Sequence, residues 1–442
     1  MIGDTEIPTA KQTPYPEASQ QECPKCHAVI PVYPDYVTWC DKCGWNLKAH
    51  KPERPRTLFE SLYASMGARL SRKLLADLSK KERLAARLTG VKVAAFLAAG
   101  LVHALTLLIA LLGVMLLVVA HTSLIGIVAG VLCLGIAWVI RPRVPRLDKE
   151  DVVVPREEFP TLYALTDQVS HALGTSPISG IIIDERFNAA FAQVGWRRKK
   201  VLFLGLPLLS VIGPQEFVAL VGHEVAHGAN RDPVRSFFVG TAISTLSTWY
   251  YLLHPHKVWG QSYGWSSRAQ YNLLAIPGNL VMLFFASIVK AWTYVMYNLL
   301  WRDSQRAEYL ADAMGAQVAG TSATFSMLEK LHLGDTFLFT LKRVSLNSRK
   351  VGLFEELRSR AEHVPPREVE RIRRVEQMEN SRLDSTHPPT AYRLDALRAR
   401  SVTAPQVTLG EARYAQLQAE LATVQEKIQQ ELLDKHEDSL YY

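Results

Sequence analysis

The segment PQEFVALVGHEVAHGA, residues 214–229, places a His-Glu-x-x-His pattern within a predicted helix. Its proline suits the first turn of a helix, and Gly228 suits its end. His223 and His227 are four residues apart, so on a helix their rings project from one face and can share a metal ion. Glu224 lies beside the coordination position left open, where it can act as a general base. The pattern predicts a catalytic zinc site.

A catalytic zinc ion needs a third protein ligand and one vacant position. Glu308 is the best candidate, because it begins EYLAD, residues 308–312, a second stretch of helical character. Asp312 is one helical turn further on, where it can accept a hydrogen bond from the far nitrogen of a ligating histidine and fix the ring tautomer. Without the His-Glu-x-x-His pattern, both acids would be interpreted as an exposed helix face. With it, we expect Glu308 to complete the site.

Two uncharged runs ahead of this pattern predict membrane-spanning helices. Residues 93–120 form a run of 28 without a formal charge, and residues 124–140 form a run of 17. A helix needs about 20 residues to cross a hydrocarbon core of about 30 Å, so the first run qualifies and the second is marginal. The short link between them predicts a tight transmembrane hairpin, residues 93–140. Basic residues flank both ends, which the positive-inside rule places in the cytoplasm.

Two further apolar runs follow the pattern, at residues 237–253 and 273–301. Lys290 interrupts the second run, and a lysine in lipid is costly unless it faces protein or water. We therefore expect this helix to leave the bilayer and enter the enzyme domain. Four membrane spans are the first interpretation. Two spans and a buried helical hairpin are the alternative.

Four cysteines near the N-terminus form two close pairs, Cys23/Cys26 and Cys40/Cys43, separated by 13 residues. This spacing predicts a structural zinc ribbon, residues 23–47, because four thiolates close a tetrahedral shell around zinc. Reduced thiolates also suit a cytosolic N-terminus. Unpaired thiols and a redox pair are the alternatives, and no thioredoxin-like pattern follows to favour the latter.

The other segments are mostly polar, in a chain with a net charge of +8. Residues 1–22 are interpreted as a disordered lead, and residues 51–92 as a basic amphipathic juxtamembrane segment that faces lipid phosphates or solvent. Arg197–Lys200, between two expected strands, is interpreted as a solvated turn rather than a nucleic-acid patch. Residues 411–435 predict an amphipathic C-terminal helix, which suits a docking or coiled-coil tail.

These motifs together resemble the HtpX-type membrane metallopeptidases, relatives of the CAAX prenyl proteases among the gluzincins. The likeness runs from about Thr161 to Arg393. In chain order it comprises NAAFA (188–192), GL (205–206), the His-Glu-x-x-His helix, NRD (230–232), two apolar helices, the ExxAD stretch and THPP (386–389).

The resemblance implies roles for residues outside the two ligand helices. Related enzymes pair an extended substrate backbone with an edge strand of their sheet. In this chain the strand is expected at Asn188, Ala189, Ala190, Phe191 and Ala192. His387 is expected to stabilise the reacting oxyanion or to cap the metal, and a loop histidine before a Pro-Pro turn is the alternative. Asp232 is expected to help orient a metal ligand.

We therefore expect a mainly α fold: an integral membrane, zincin-like metalloprotease domain with a small β-sheet, residues 150–400, plus the N-terminal zinc ribbon. The expected function is that of a zinc-dependent endopeptidase with one catalytic and one structural zinc ion. By resemblance, its substrates are membrane proteins in quality control; the sequence names no partner for the ribbon. Charge pattern and resemblance place the active site and both termini on the cytoplasmic side of a bacterial inner membrane.

Two other classes of function compete with this prediction. The first is a catalytically silent membrane scaffold or chaperone on the same fold, which an intact Glu224 disfavours. The second is a zinc-ribbon adaptor that binds nucleic acid, which the apolar runs and the scattered basic residues disfavour.

Overall fold

The computed structural model describes residues 19–33, 36–47, 90–142, 144–229, 237–253, 275–346, 352–378 and 388–441. Within these ranges the protein is mainly helical, with two small β-sheets, so the expected fold class is confirmed. Asp232, His387 and nearly all of the basic segment 51–92 lie outside the described residues, and what was expected of them stays a prediction.

The cysteine module folds around a two-stranded antiparallel sheet, β1 (Ser19–Glu22) and β2 (Val29–Val32). β1 ends just before the first cysteine, so the ribbon takes in the last residues of the expected disordered lead. Each C-x-x-C pair is followed at once by a residue of positive φ, His27 at 58° and Gly44 at 68°. These left-handed positions turn the chain tightly behind each pair and direct its thiols to one side.

An antiparallel helical hairpin, α1 (Gly90–Val119) and α2 (Leu124–Val139), forms from the first two apolar runs. Small residues bring the helices close: a Cβ built on Gly113 would lie 3.0 Å from the Gly130 carbonyl oxygen. Most of the large apolar side chains face outward, as lipid contact requires. α1 is long enough to cross a membrane, whereas α2 reaches only about 24 Å.

The enzyme domain opens with α3 (Pro160–Ala172) and a three-stranded sheet. The strands are β3 (Gly180–Asp184), β4 (Ala189–Val194) and β5 (Lys199–Gly205). β5 lies in the centre, parallel to β3 and antiparallel to β4, so β4 is an edge strand. A single turn, α4 (Leu206–Leu209), leads into the helix α5 (Pro214–Ala229), which carries the His-Glu-x-x-His pattern.

Two longer helices, α6 (Phe237–Leu253) and α7 (Ala275–Ala319), pack against α1. α7 has 45 residues, so it is about 68 Å long. Of the described helices, α1 and α7 are long and apolar enough to cross a membrane. Lys290 is exposed on the apolar part of α7, and the helix continues without a break into the enzyme domain. The choice between two and four spans stays a prediction.

Shorter helices complete the domain: α8 (Thr321–Lys330), α9 (Gly334–Leu346), α10 (Leu353–Glu362), α11 (Pro366–Met378) and α12 (Thr390–Arg398). The last helix, α13 (Glu411–Tyr441), packs on its own domain instead of extending as a tail. Leu421 lies in the main core. Glu420 accepts hydrogen bonds from the backbone N–H groups of Thr161 and Leu162, at 2.7 and 3.0 Å, and so caps the first turn of α3.

Candidate metal centre

Helix α5 carries both histidines into the interior of the domain, since every residue from 217 to 227 is buried. Glu216 secures its first turn: the carboxylate accepts a hydrogen bond from the Gly213 N–H at 2.5 Å and pairs with Lys330 at 2.6 Å. The rings of His223 and His227 point to one side, with their Nε2 atoms 3.2 Å apart. Neutral imidazoles that face each other in this way can share a cation.

Helix α7 brings Glu308 against this pair. The Glu308 carboxylate oxygens lie 3.5 Å from His223 Nε2 and 3.4 Å from His227 Nε2. The approach of α5 to α7 depends on glycine, because a Cβ built on Gly222 would lie only 3.3 Å from the Gly315 Cα. Small residues at the crossing therefore let Glu308 reach two histidines that lie far from it in the sequence.

The three side chains fit a zinc ion. A tetrahedral zinc with bonds of about 2.1 Å holds its ligand atoms about 3.4 Å apart, and the separations here are 3.2, 3.4 and 3.5 Å. The charges agree with this. Although burial and Arg393 oppose it, hydrogen bonds to Asp312 and Glu308 raise the pKa of His223 to about 9. A zinc ion would take the place of a proton on the Nε2 side of His223, and the Glu308 carboxylate beside both rings supplies a negative charge to balance the metal.

Asp312 sets the orientation of one histidine ring. Its Oδ1 lies 2.9 Å from His223 Nδ1, which leaves Nε2 facing the metal position. Arg393, from α12, donates to both oxygens of Asp312, at 2.8 and 2.6 Å. The guanidinium also lies 3.3 Å from His223 Nδ1. That contact is packing rather than a hydrogen bond, because arginine has no acceptor and Nδ1–H donates to Asp312.

Glu224 lies beside the metal position without belonging to the group of three ligands. It follows His223 directly in α5, so its side chain projects about 100° further round the helix. Its Oε1 is 4.0 Å from His223 Nε2, and the side chain is buried. A water molecule in the vacant coordination position would be within reach of this carboxylate, as general base catalysis requires.

Strand β4 lies along the same helix. The ring of Phe191 packs so closely on Gly228 that a Cβ there would lie 2.7 Å from it. The Gly205 N–H donates to the Asn188 carbonyl at 2.9 Å. In an antiparallel pair, only every second residue bonds to the neighbouring strand. Since Asn188 bonds to β5, the backbone N–H and C=O groups of Ala189 and Phe191 point away from it. Among the described strands none pairs with this edge, so the residues expected to bind substrate lie on an open edge beside the metal-binding helix.

The four cysteines form a second metal-sized group. The Sγ atoms of Cys23 and Cys43 are 3.6 Å apart, as are those of Cys26 and Cys40. A disulfide requires about 2.05 Å, whereas a tetrahedral zinc with bonds of about 2.3 Å separates its sulfur ligands by about 3.8 Å. The spacing therefore fits four thiolates around a zinc ion.

The ribbon docks on helix α11 of its own chain. Trp39 is buried, with the guanidinium groups of Arg367 and Arg374 at 4.7 and 5.1 Å from its ring centroid. Arg367 also donates to the Trp39 carbonyl at 2.7 Å, and Arg374 to the Asp41 carbonyl at 2.9 Å. Cation–π contacts and backbone hydrogen bonds thus fasten the ribbon to the enzyme domain.

The expected site residues fall into two groups. The structure brings together His223, Glu224, His227, Glu308 and Asp312. Asp232 and His387 lie outside the described residues. Arg393 lies at the end of the family likeness, and the sequence assigns it no role. Its contact with Asp312 crosses 81 residues, and the only signal for it is its place shortly after the THPP motif.

Comparison with known proteins agrees with this geometry. The family model described as Peptidase family M48 matches residues 165–401. A protease HtpX homolog of Methanocaldococcus jannaschii is 24% identical over 277 residues, which are 62% of this chain and 87% of that protein. A protease HtpX homolog of Pyrobaculum calidifontis is 26% identical over 246 residues, 53% of this chain and 66% of that protein. Protease HtpX of Stutzerimonas stutzeri is 30% identical over 211 residues, which are 44% of this chain and 67% of that protein. No solved structure matches the chain significantly.

The matched region covers more than half of the chain and includes His223, His227 and Glu308. The cysteine module and the α1–α2 hairpin precede it. The resemblance stated from the sequence is confirmed, and both donor groups described above suit the zinc on which this family depends. The chain belongs to peptidase family M48, as an HtpX-like, membrane-associated zinc metallopeptidase.

Proposed function

We propose that the protein is a zinc-dependent endopeptidase in which His223, His227 and Glu308 hold the metal ion and Glu224 is the general base. The observation that carries this proposal is the meeting of three donor atoms at 3.2 to 3.5 Å in a buried site. When bound, zinc supplies a Lewis acid that polarises a carbonyl oxygen and makes water a better nucleophile. Glu224 takes the proton from water and passes it to the leaving amine.

The open edge of β4 supplies the substrate site. An extended peptide can add to it by backbone hydrogen bonds to Ala189 and Phe191, next to α5. This mode recognises the main chain and requires neither a particular side chain nor a free terminus. It therefore favours cleavage inside a polypeptide, in segments that have lost their fold.

The substrates are membrane proteins, and the site faces the cytoplasm. Lys290 interrupts the apolar part of α7, which is embedded in the bilayer. Glu308 lies 18 residues further along the same continuous helix, at a distance of about 27 Å, so the metal site stays close to the membrane. The basic residues around the α1–α2 hairpin orient both of its ends towards the cytoplasm of a bacterial cell. Labels at Lys149 and near residue 400 should react from the cytoplasmic side, and a label near Gln261 from the other. The reverse pattern would contradict this orientation.

The cysteine group holds a second, structural zinc ion. Its four thiolates leave no open position for substrate, and its contact with α11 gives it a place in the enzyme domain. This zinc ion keeps the N-terminal module folded and docked on α11.

Glu224→Gln tests the proposal. The variant keeps the size of the side chain but cannot accept a proton, so cleavage of an unfolded membrane protein in detergent should fall by about 10²- to 10⁴-fold. Zinc content should stay at the wild-type level, because Glu224 is not a ligand. Glu355→Gln, an exposed change on α10, serves as the control.

Wild-type zinc content in Glu224→Gln shows that the variant is folded, so that a loss of cleavage is not a loss of structure. Two results would defeat the proposal. If the variant cleaves like wild type, Glu224 is not the base. If wild-type protein binds zinc and unfolded membrane proteins but cleaves none of them, the scaffold or chaperone function is correct.

A further inference from the structure

The tip of the β4–β5 hairpin carries an aromatic and basic surface that the peptidase chemistry does not use. Trp196 is 79% exposed there, and the side chains of Arg197–Lys199 beside it are exposed as well. Lys200, the last of the basic run, is held inward, where its Nζ donates to the Thr175 hydroxyl at 2.6 Å. One large indole and three cations therefore project at the turn.

This turn is held against the end of the membrane hairpin. The Arg198 N–H closes the turn on the Gly195 carbonyl at 3.0 Å, and both residues have positive φ. The Gly195 N–H donates to the Pro145 carbonyl at 2.8 Å. Pro145 is five residues beyond Ile140, the C-cap residue of α2. Five residues span at most about 18 Å, so the tip lies within that distance of the end of α2.

The end of α2 has the composition of a membrane–water interface. Trp138 is 67% exposed in its last turn, and the Arg141 guanidinium lies 3.8 Å from the ring centroid. Exposed tryptophan with arginine at the end of a membrane helix marks the headgroup level. Residues 141–151 carry four basic and three acidic residues, a net charge of +1. Arg197–Lys199 carry a charge of +3, so the excess of positive charge rests mainly on the hairpin tip.

We propose that the β4–β5 tip docks on the anionic surface of the bilayer that α1 crosses, with Trp196 at the headgroup level and Arg197–Lys199 on lipid phosphates. The amphipathic indole ring prefers that depth, and anionic lipids attract each nearby lysine or arginine. A lipid surface is the partner rather than a nucleic acid, because the Gly195–Pro145 bond holds the tip beside the membrane end of α2. The inference needs α1 in the membrane but does not depend on the metal chemistry.

Docking at the tip has a consequence for the substrate site. β4 is one arm of this hairpin and has six residues, so its far end is about 20 Å from the turn. Contact of the tip with lipid would therefore set the height and tilt of the open edge over the bilayer. Membrane-derived segments would meet that edge at a fixed distance from the surface.

The test uses the full-length protein in two kinds of vesicle, phosphatidylcholine alone and phosphatidylcholine with phosphatidylglycerol, each containing lipid brominated in the acyl chain. Subtracting the emission of Trp196→Phe from that of wild type isolates the signal of Trp196. In the anionic vesicles this signal should be shifted to the blue and quenched by the bromine. In the neutral vesicles both effects should be much weaker.

Variants separate the charge from the fold. R197Q/R198Q/K199Q should reduce the ratio of docked to undocked tip by about a hundredfold, whereas R197K/R198K should preserve docking. R413Q/K427Q/K435Q, which removes three charges from α13, should leave the Trp196 signal unchanged. Zinc content and circular dichroism show whether each variant is folded.

Three results would overturn the proposal. The first is a Trp196 signal that is the same in neutral and anionic vesicles. The second is a folded glutamine variant of the tip that docks as well as wild type. The third is copurified nucleic acid whose removal alone changes the Trp196 emission, which would assign the tip to nucleic acid.

Discussion

Replacing Asp312 by asparagine should weaken both the domain and its catalytic metal site, through two contacts that can be separated. The Asp312 carboxylate accepts hydrogen bonds from Arg393 at 2.8 and 2.6 Å and lies 2.9 Å from His223 Nδ1, with all three side chains buried. The variant leaves the Arg393 guanidinium buried without its counter-charge. Breaking a buried pair in this way costs about 3–5 kcal/mol.

The loss of metal affinity has a different origin. Without the carboxylate, nothing charged holds the His223 ring with Nε2 towards the metal, and changes of this kind weaken metal binding by about 10- to 100-fold. The double variant Asp312→Asn/Arg393→Met removes both charges and fills the space with an apolar chain. It should regain most of the lost stability but none of the lost zinc affinity.

Denaturation of the metal-free protein in detergent measures the first effect, and zinc competition with a chelator measures the second. Asp395→Asn is the matched control. Asp395 and Arg398, both on α12, form an exposed ion pair at 3.0 Å, and such a pair is worth at most about 1 kcal/mol. The reasoning is refuted if Asp312→Asn is as stable as Asp395→Asn. It is equally refuted if the double variant binds zinc like wild type.

Three further predictions concern the ribbon and the helix crossing. Replacing Cys23 and Cys26 by serine should remove one zinc ion per chain, as measured by elemental analysis, and leave cleavage largely intact. If cleavage is lost while the other zinc ion is retained, the ribbon does more than hold structure. Arg367→Ala should release the ribbon from α11 and expose it to limited proteolysis, whereas Arg371→Ala on the same helix should not; equal behaviour of the two would contradict the docking. Gly315→Val should push α7 from α5, because its Cβ would already be in van der Waals contact with the α5 backbone at 3.4 Å, and valine adds two methyl groups beyond it. We expect it to lose the catalytic zinc selectively, and normal zinc content would show that the crossing tolerates a side chain.

The metal centre could be anticipated because its parts are encoded locally. The spacing of His223 and His227 fixes their relative direction on any helix, and the same rule places Asp312 one turn from Glu308. Pairing of the two helices does not follow from either pattern alone. It was inferred from the chemical need for a third ligand and from family likeness, and the glycines that permit it, Gly222 among them, carry no obvious signal in the sequence.

The contacts that could not be anticipated join distant segments. Arg393 reaches Asp312 across 81 residues, and Arg367 reaches Trp39 across 328. Periodicity shows which face of a helix is apolar but not which element covers it. For that reason residues 411–435 could be predicted as an amphipathic helix suited to a docking or coiled-coil tail, but the sequence did not show that its apolar face packs in the main core or that Glu420 caps α3.

The central claim is that Glu308 completes a catalytic zinc site with His223 and His227, and Glu308→Gln tests it most directly. The change keeps size and helix propensity but removes the negative charge that balances the metal. Zinc content and cleavage are measured on the same preparation. Wild type should hold about two zinc ions, one for each donor group. The variant should keep the ribbon zinc, lose the other and lose cleavage with it. A variant that retains both zinc ions and cleaves like wild type would show that the third ligand lies elsewhere, and His387 would be the next residue to replace.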